Sequence, residues 1–112
     1  MAGDDMPELT AKALVETGAV VTLPLHLEWS GPRRAHDLSD RRQVIHVYEV
    51  VLREGSAADV RRYVDPDTLV EIWDEVVLPA HIRRAWADYF ERRKGLTLDR
   101  RPEIRGIRAA GR

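Results

Sequence analysis

The stretch from Asp65 to Gly95, DPDTLVEIWDEVVLPAHIRRAWADYFERRKG, constrains this chain more than any other part of it. Asp65 can cap the first orphan amides of a helix, and Pro66 suits its first position, where no amide donor is needed. Leu69, Trp73, Val76 and Val77 then recur at helical spacing, flanked by Val70. Pro79 cannot continue that helix without a lost hydrogen bond and a ring clash, so the chain is expected to break at Leu78 and restart. In the second helix Ile82, Ala85, Trp86, Tyr89 and Phe90 form one stripe, and Gly95 ends it where a left-handed residue costs little. Two of the three Trp and the only Phe lie here, so Trp73 and Trp86 are expected to be buried. The helix pair reads as a scaffold, with no catalytic grouping written on it.

A chain of 112 residues, 44% apolar and 33% charged, is one domain of the soluble globular class with a thin core. It has no cysteine, hence no disulfide, thiolate nucleophile or cysteine metal site. Its first ten residues are acidic where a signal peptide would be basic, and no run approaches the ~18 apolar residues that span a bilayer. A cytoplasmic protein is the expectation. The net charge of −1 conceals an asymmetry: residues 1–82 hold 8 Lys and Arg against 15 Asp and Glu, residues 83–112 hold 10 against 4. Such a split marks either a basic surface for an acidic partner or a basic segment lying on an acidic body.

In chain order, a short helix is expected from about Pro7 to Thr17, ended by Gly18. Val21, Leu23, Leu25, Leu27 and Trp29 then alternate with polar residues or Pro24, the period of a half-buried strand. Pro24 places it on an edge or makes it an extended arm, and no second strand of comparable quality follows. Such a strand invites self-association or pairing with another protein, or it packs as an extended segment across the helices. Ser30-Gly31-Pro32 signals a turn, and residues 33–36 read as an exposed loop. Asp37 or Ser39 caps a helix over Asp40 to Glu54, with Val44, Val47, Tyr48 and Val51 on one face and Gly55 at its end. Ser56 with Asp59 resembles a capping box for a helix through Val64. The fold class is therefore mostly α: a small single-domain bundle of four to five helices with one short N-terminal strand or extended arm. Residues 1–95 form the helical domain, with the arm at 19–34, and residues 96–112 form a basic, flexible tail.

Chemistry is sparse. His26, His36, His46 and His81 show no HxxxH spacing and no nearby carboxylate pairing suited to a zinc site, so a structural or surface role is expected. Asp65 and Asp67 make a DxD, but Asp65-Pro66 reads as a helix start and capping explains it better than metal-dependent nucleotidyl transfer. No Gly-rich phosphate loop or nucleophile elbow is written in the chain. The expectation is a protein that is not an enzyme and uses no metal or cofactor.

Three segments, LHLEWSGP, VYEVVLREGSAADVRRYVD and LVEIWDEVVLPAHIRRAW, carry a family resemblance over about residues 20 to 94. The chain resembles the small actinobacterial antitoxins encoded beside AbiEii-type nucleotidyltransferase toxins, as in mycobacterial MenAT-like modules. The resemblance implies a non-catalytic role: binding a toxin that modifies tRNA and blocking it, with that cognate nucleotidyltransferase as partner in a hetero-oligomer. AbiEi-type antitoxins add a winged helix-turn-helix, for which this chain is too short, so DNA-binding autoregulation does not carry over. A competing class is a small helix-turn-helix-like transcriptional regulator using helices 57–64 and 66–78. Against it, the second of those helices holds four acids, with Asp65 at its cap, and no Lys or Arg, which repels phosphate.

Two segments are expected to hold a partner. The arm and turn offer Trp29, Arg33 and Arg34, residue types enriched at interface hot spots, on a backbone suited to strand addition. The tail offers Leu98, Arg100, Arg101, Ile104, Arg105, Ile107 and Arg108, alternating cationic and apolar groups that can order on binding. Alternatively Trp29 completes the core and the tail only solubilises.

Overall fold

The computed structural model describes residues 9–28 and 34–100. Its described residues form five helices and a two-stranded antiparallel sheet in the order α1 (Ala11–Glu16), β1 (Val20–Thr22), β2 (Ala35–Asp37), α2 (Arg41–Glu54), α3 (Ala57–Tyr63), α4 (Pro66–Glu71) and α5 (Ala80–Lys94). The mostly helical class expected from the sequence is the one observed. Among these residues no helix is long and apolar enough to cross a membrane.

Local signals place most of the helix ends. Thr10 caps α1 by accepting from the Ala13 amide, Asp40 caps α2 through the Arg42 amide, and Asp65 caps α4 through the Thr68 amide. Ser56 and Asp59 close a reciprocal capping box on α3. Gly95 ends α5 at φ 68°, its amide bonded to the Glu91 carbonyl and the Leu96 amide to the Phe90 carbonyl, as at many left-handed helix ends. Gly18 ends α1 at φ 63°, and a Cβ there would lie 2.9 Å from Ser39 Cβ, so the close approach of the α1 end to the β2–α2 turn also requires glycine.

The core runs along α2. Val44, Val47, Tyr48 and Val51 are buried on its expected face, and Val50 and Leu52 join them. Tyr48 is fully enclosed, and its hydroxyl accepts the Asp65 amide at 2.9 Å. Asp65 in turn accepts from the Thr68 amide at 3.0 Å and the Thr68 hydroxyl at 2.8 Å. The DxD is thus a helix start bolted to the α2 face.

Three expectations need correction. The alternating strand stops at Thr22, because Pro24 has no amide for a ladder and its carbonyl instead accepts the Leu27 and Glu28 amides. Leu23 and Leu27 therefore share a buried side one turn apart, while Leu25 points out, 59% exposed. The loop expected at residues 33–36 instead supplies β2, with Val21 opposite His36. The helix expected over 66–78 ends at Glu71, because the backbone beyond it is bound elsewhere: the Val77 amide donates to Glu49 Oε2 at 2.8 Å, and the carbonyls of Trp73 and Val76 accept from Arg83.

Arg83 also corrects the expected stripe on α5. The buried face runs through Arg83, Ala87 and Phe90, leaving Ile82, Trp86 and Tyr89 half-buried and Ala85 exposed. Trp73 is 3% exposed as expected, whereas Trp86 is only half-buried, flanking Phe90 and Tyr89 with ring centroids 5.9 and 5.3 Å away. Among the described residues every buried side-chain nitrogen or oxygen has a hydrogen-bond partner, so the polar groups in this core are satisfied.

Burial pushes the Tyr48 phenol from its ordinary value of 10 up to about 12, outweighing the Asp65 amide and the Thr68 side chain, which favour the phenolate. A phenol with a raised folded value contributes stability that is complete below pH 10 and is lost as the pH rises through about 12. Phenolate absorbance should therefore show an ionisation near pH 12 that is lost in Tyr48→Phe and coincides with loss of helical signal; its absence would contradict the assignment. Tyr48→Phe strands the buried Asp65 amide and should cost ~1–3 kcal/mol in urea denaturation.

Candidate functional site

The β1–β2 hairpin carries the features closest to chemistry. Residues 23–28 leave β1 as a turn, and the described chain resumes at residue 34, just before β2. His36, at the centre of β2, follows the exposed-buried-exposed pattern of its strand and points inward, 5% exposed. His46 stands on the outer side of α2 and is exposed. Glu28 comes between them from the end of the turn.

Both imidazoles meet that one carboxylate. His36 Nε2 donates to Glu28 Oε1 at 2.9 Å, and His46 Nε2 donates to Glu28 Oε2 at 3.1 Å. The two rings lie 5.2 Å apart, centroid to centroid, tilted by 42°. Burial tends to raise the Glu28 carboxyl, but the hydrogen bonds from His36 and His46 and their charges together hold it below the usual carboxylate range. An open cleft of about 460 Å³ adjoins the group, with Arg34, Asp40, Arg42 and Gln43 around His36 and His46. Imidazole nitrogen and carboxylate oxygen are ligands for divalent transition metals. Among the described residues this is the grouping in which three such donors come within 4.8 Å of one another.

The sequence reading did not anticipate this cluster. It found no carboxylate pairing suited to a zinc site, whereas the structure gives His36 and His46 a shared carboxylate and brings His26 Nε2 within 3.0 Å of Asp59 Oδ2 in the α3 capping box. The partners of Glu28 lie 8 and 18 residues further along the chain, which is no local spacing. The antiparallel pairing that sets His36 opposite Val21 brings it back beside the segment leaving β1, and no sequence spacing signals that return.

The expected partner-binding residues are distributed unevenly. Trp29, Arg33, Arg101, Ile104, Arg105, Ile107 and Arg108 lie outside the described residues. Arg34 is exposed on the rim of the cleft. Leu98 is half-buried against the core, and Arg100 pairs with Asp88 at 2.6 Å and with Glu91, both on α5. The carbonyl of Asp99 accepts from Trp73 Nε1 at 2.8 Å and Arg83 Nε at 3.1 Å. Residues 96–100 thus run back along the helical body, and Leu98 and Arg100 are occupied within the chain.

Exposed acids gather on α4 and the turn after it, at Asp67, Glu71 and Asp74, with Lys12 and Lys94 at 3.6 and 4.0 Å from Asp67 and Arg41 paired with Glu75. Comparison of the chain with protein-family models, with curated proteins and with solved structures gives no match.

The buried end of the cluster should matter more to stability than its exposed end. Glu28→Ala leaves the His36 nitrogen, in a 5% exposed side chain, without its partner and should cost ~1–3 kcal/mol. His46→Ala removes an exposed contact and should cost less than ~1 kcal/mol. Equal losses in urea denaturation would contradict this ordering.

Proposed function

We propose that this chain is a non-catalytic, cytoplasmic binding protein that neutralises a nucleotidyltransferase toxin acting on tRNA. The observation that carries the reading is the β1–β2 hairpin: a two-stranded sheet at the surface of a helical body, whose strands each keep an open edge among the described residues. An open edge is a template for strand addition by a partner. Val20 and Leu25, 64% and 59% exposed, set apolar side chains along β1 and its following turn, and Arg34 stands at the return. The stretch bounded by Glu28 and Arg34 contains Trp29 and Arg33, residue types that dominate interface energetics.

The family resemblance supports the same reading from another direction. Its three segments contain Tyr48, Asp65, Trp73 and Arg83, the residues on which the packing of the body turns. The exposed acids of α4 favour a basic counterpart, and a groove that holds tRNA phosphates is basic. The helix-turn-helix alternative has less support: α4 is six residues long, with Asp67 and Glu71 exposed on it and no Lys or Arg.

The test is first whether a nucleotidyltransferase is encoded beside this chain, and then whether the protein inhibits it. Purified protein should bind that enzyme and stop nucleotide addition to tRNA. Trp29→Ala should weaken binding by ~2 kcal/mol or more, the scale of a hot-spot truncation. A truncation after Arg100 keeps the Leu98 and Asp99 contacts and removes the rest of the tail, so it separates partner binding from folding. Full inhibition by both variants would move the interface to the acidic face of α4, and lack of binding by the intact chain would refute the reading.

A further inference from the structure

We propose that Glu28, His36 and His46 form a binding site for a divalent transition metal ion, with Zn²⁺ the best-suited occupant. The site does not depend on the partner proposed above. Two imidazoles and one carboxylate are a donor set that zinc accepts, with Zn–N near 2.0–2.1 Å and Zn–O near 2.0–2.2 Å. Around a tetrahedral ion those bond lengths place donors about 3.3 Å apart. The carboxylate oxygens already stand 2.9 and 3.1 Å from the two Nε2 atoms, and all three donors lie within 4.8 Å of one another. Small side-chain rotations suffice to turn a hydrogen-bonded triad into a ligand set.

The protonation balance is simple. In the metal-free protein the Nε2–H of each imidazole points toward Glu28. An incoming ion takes the place of those two hydrogens: each ring keeps one proton, now on Nδ1, and presents the Nε2 lone pair, while Glu28 binds as the carboxylate. Any second proton carried by a ring leaves to solvent as the ion binds.

The surroundings offer both an anchor and an entrance. His36 is fixed in a strand and buried, so one ligand is positioned before metal arrives. His46 is exposed at the mouth of the cleft, which gives the ion a path and leaves a fourth position open to water or an anion. Arg34 and Arg42 on the cleft wall oppose a bare dication but favour an anionic fourth ligand, and Asp40 between them offsets part of their charge. The three ligands come from the turn after β1, from β2 and from α2. An ion there would join the turn after β1 and the strand β2 to α2.

Zinc titration of the full-length protein without a polyhistidine tag tests the site, read by calorimetry and by the ligand-field absorption of Co²⁺ as a substitute. The expected result is saturable one-to-one binding, four-coordinate Co²⁺ intensity and a rise in melting temperature on adding Zn²⁺. His46→Ala alters an exposed side chain, so its circular dichroism should match the intact protein while its Zn²⁺ affinity falls by more than ~100-fold, beyond the loss from merely disturbing a ligand's supporting contacts. Glu28→Gln should weaken binding likewise. His26→Ala, which changes the separate pair with Asp59, should bind as tightly as the intact protein. Absent or non-saturable uptake, uptake that survives in His46→Ala, or uptake lost in His26→Ala would overturn the proposal.

Discussion

A single buried guanidinium ties together the parts of this protein that lie farthest from any regular ladder. Arg83 is 4% exposed, and its three nitrogens donate to the carbonyls of Trp73, Val76 and Asp99 at 3.1, 3.3 and 3.1 Å. Its plane sits 4.4 Å from the Trp73 ring centroid, an arrangement that adds cation–π attraction of ~1–2 kcal/mol when desolvated. Burying a charge is costly unless its donors are all met. The rigid fork of arginine meets three carbonyls at once, which a lysine ammonium would not do in the same geometry. After the Glu75 and Val76 amides bond the Ile72 carbonyl, the helical ladder stops, and Arg83 gives the Trp73 and Val76 carbonyls side-chain donors.

The remaining architecture follows from that tie. With the backbone after α4 turned toward α5, Trp73 packs edge-on against Phe90 at 6.1 Å, and its indole nitrogen is free to hold the Asp99 carbonyl. Residues 96–100 are thereby drawn onto the body, and Arg100 reaches Asp88 and Glu91. On the other side, Tyr48 joins α2 to the start of α4 through Asp65. The helices become one platform with the hairpin at its surface. A platform that holds an exposed strand edge in place lowers the ordering free energy lost when such an edge is bound.

What could be read from the sequence was local. Ser56 with Asp59, Asp65-Pro66 and Gly95 mark helix ends through contacts within four residues, and each is found where it was expected. The apolar face of α2 was legible because Val44, Val47, Tyr48 and Val51 repeat at one period over a long helix. The errors share a different cause. Periodicity treats arginine as an outward residue, so it centred the α5 stripe on Trp86 instead of the face holding Arg83 and Ala87. Ala35-His36-Asp37 has no strand signature of its own and becomes β2 through its pairing with β1. Glu28, His36 and His46 are assembled by that same pairing, so no spacing rule could connect them beforehand.

Chemical denaturation of Arg83→Met beside Arg84→Met tests the role of the buried guanidinium most directly. The neighbouring arginine is exposed, so its substitution should fall within ~0.5 kcal/mol of the intact protein. Methionine at 83 can fill much of the volume but leaves the carbonyls of Trp73, Val76 and Asp99 without their Arg83 donors, and the expected loss is ~3 kcal/mol or more. Equal stability of the two variants would contradict the account.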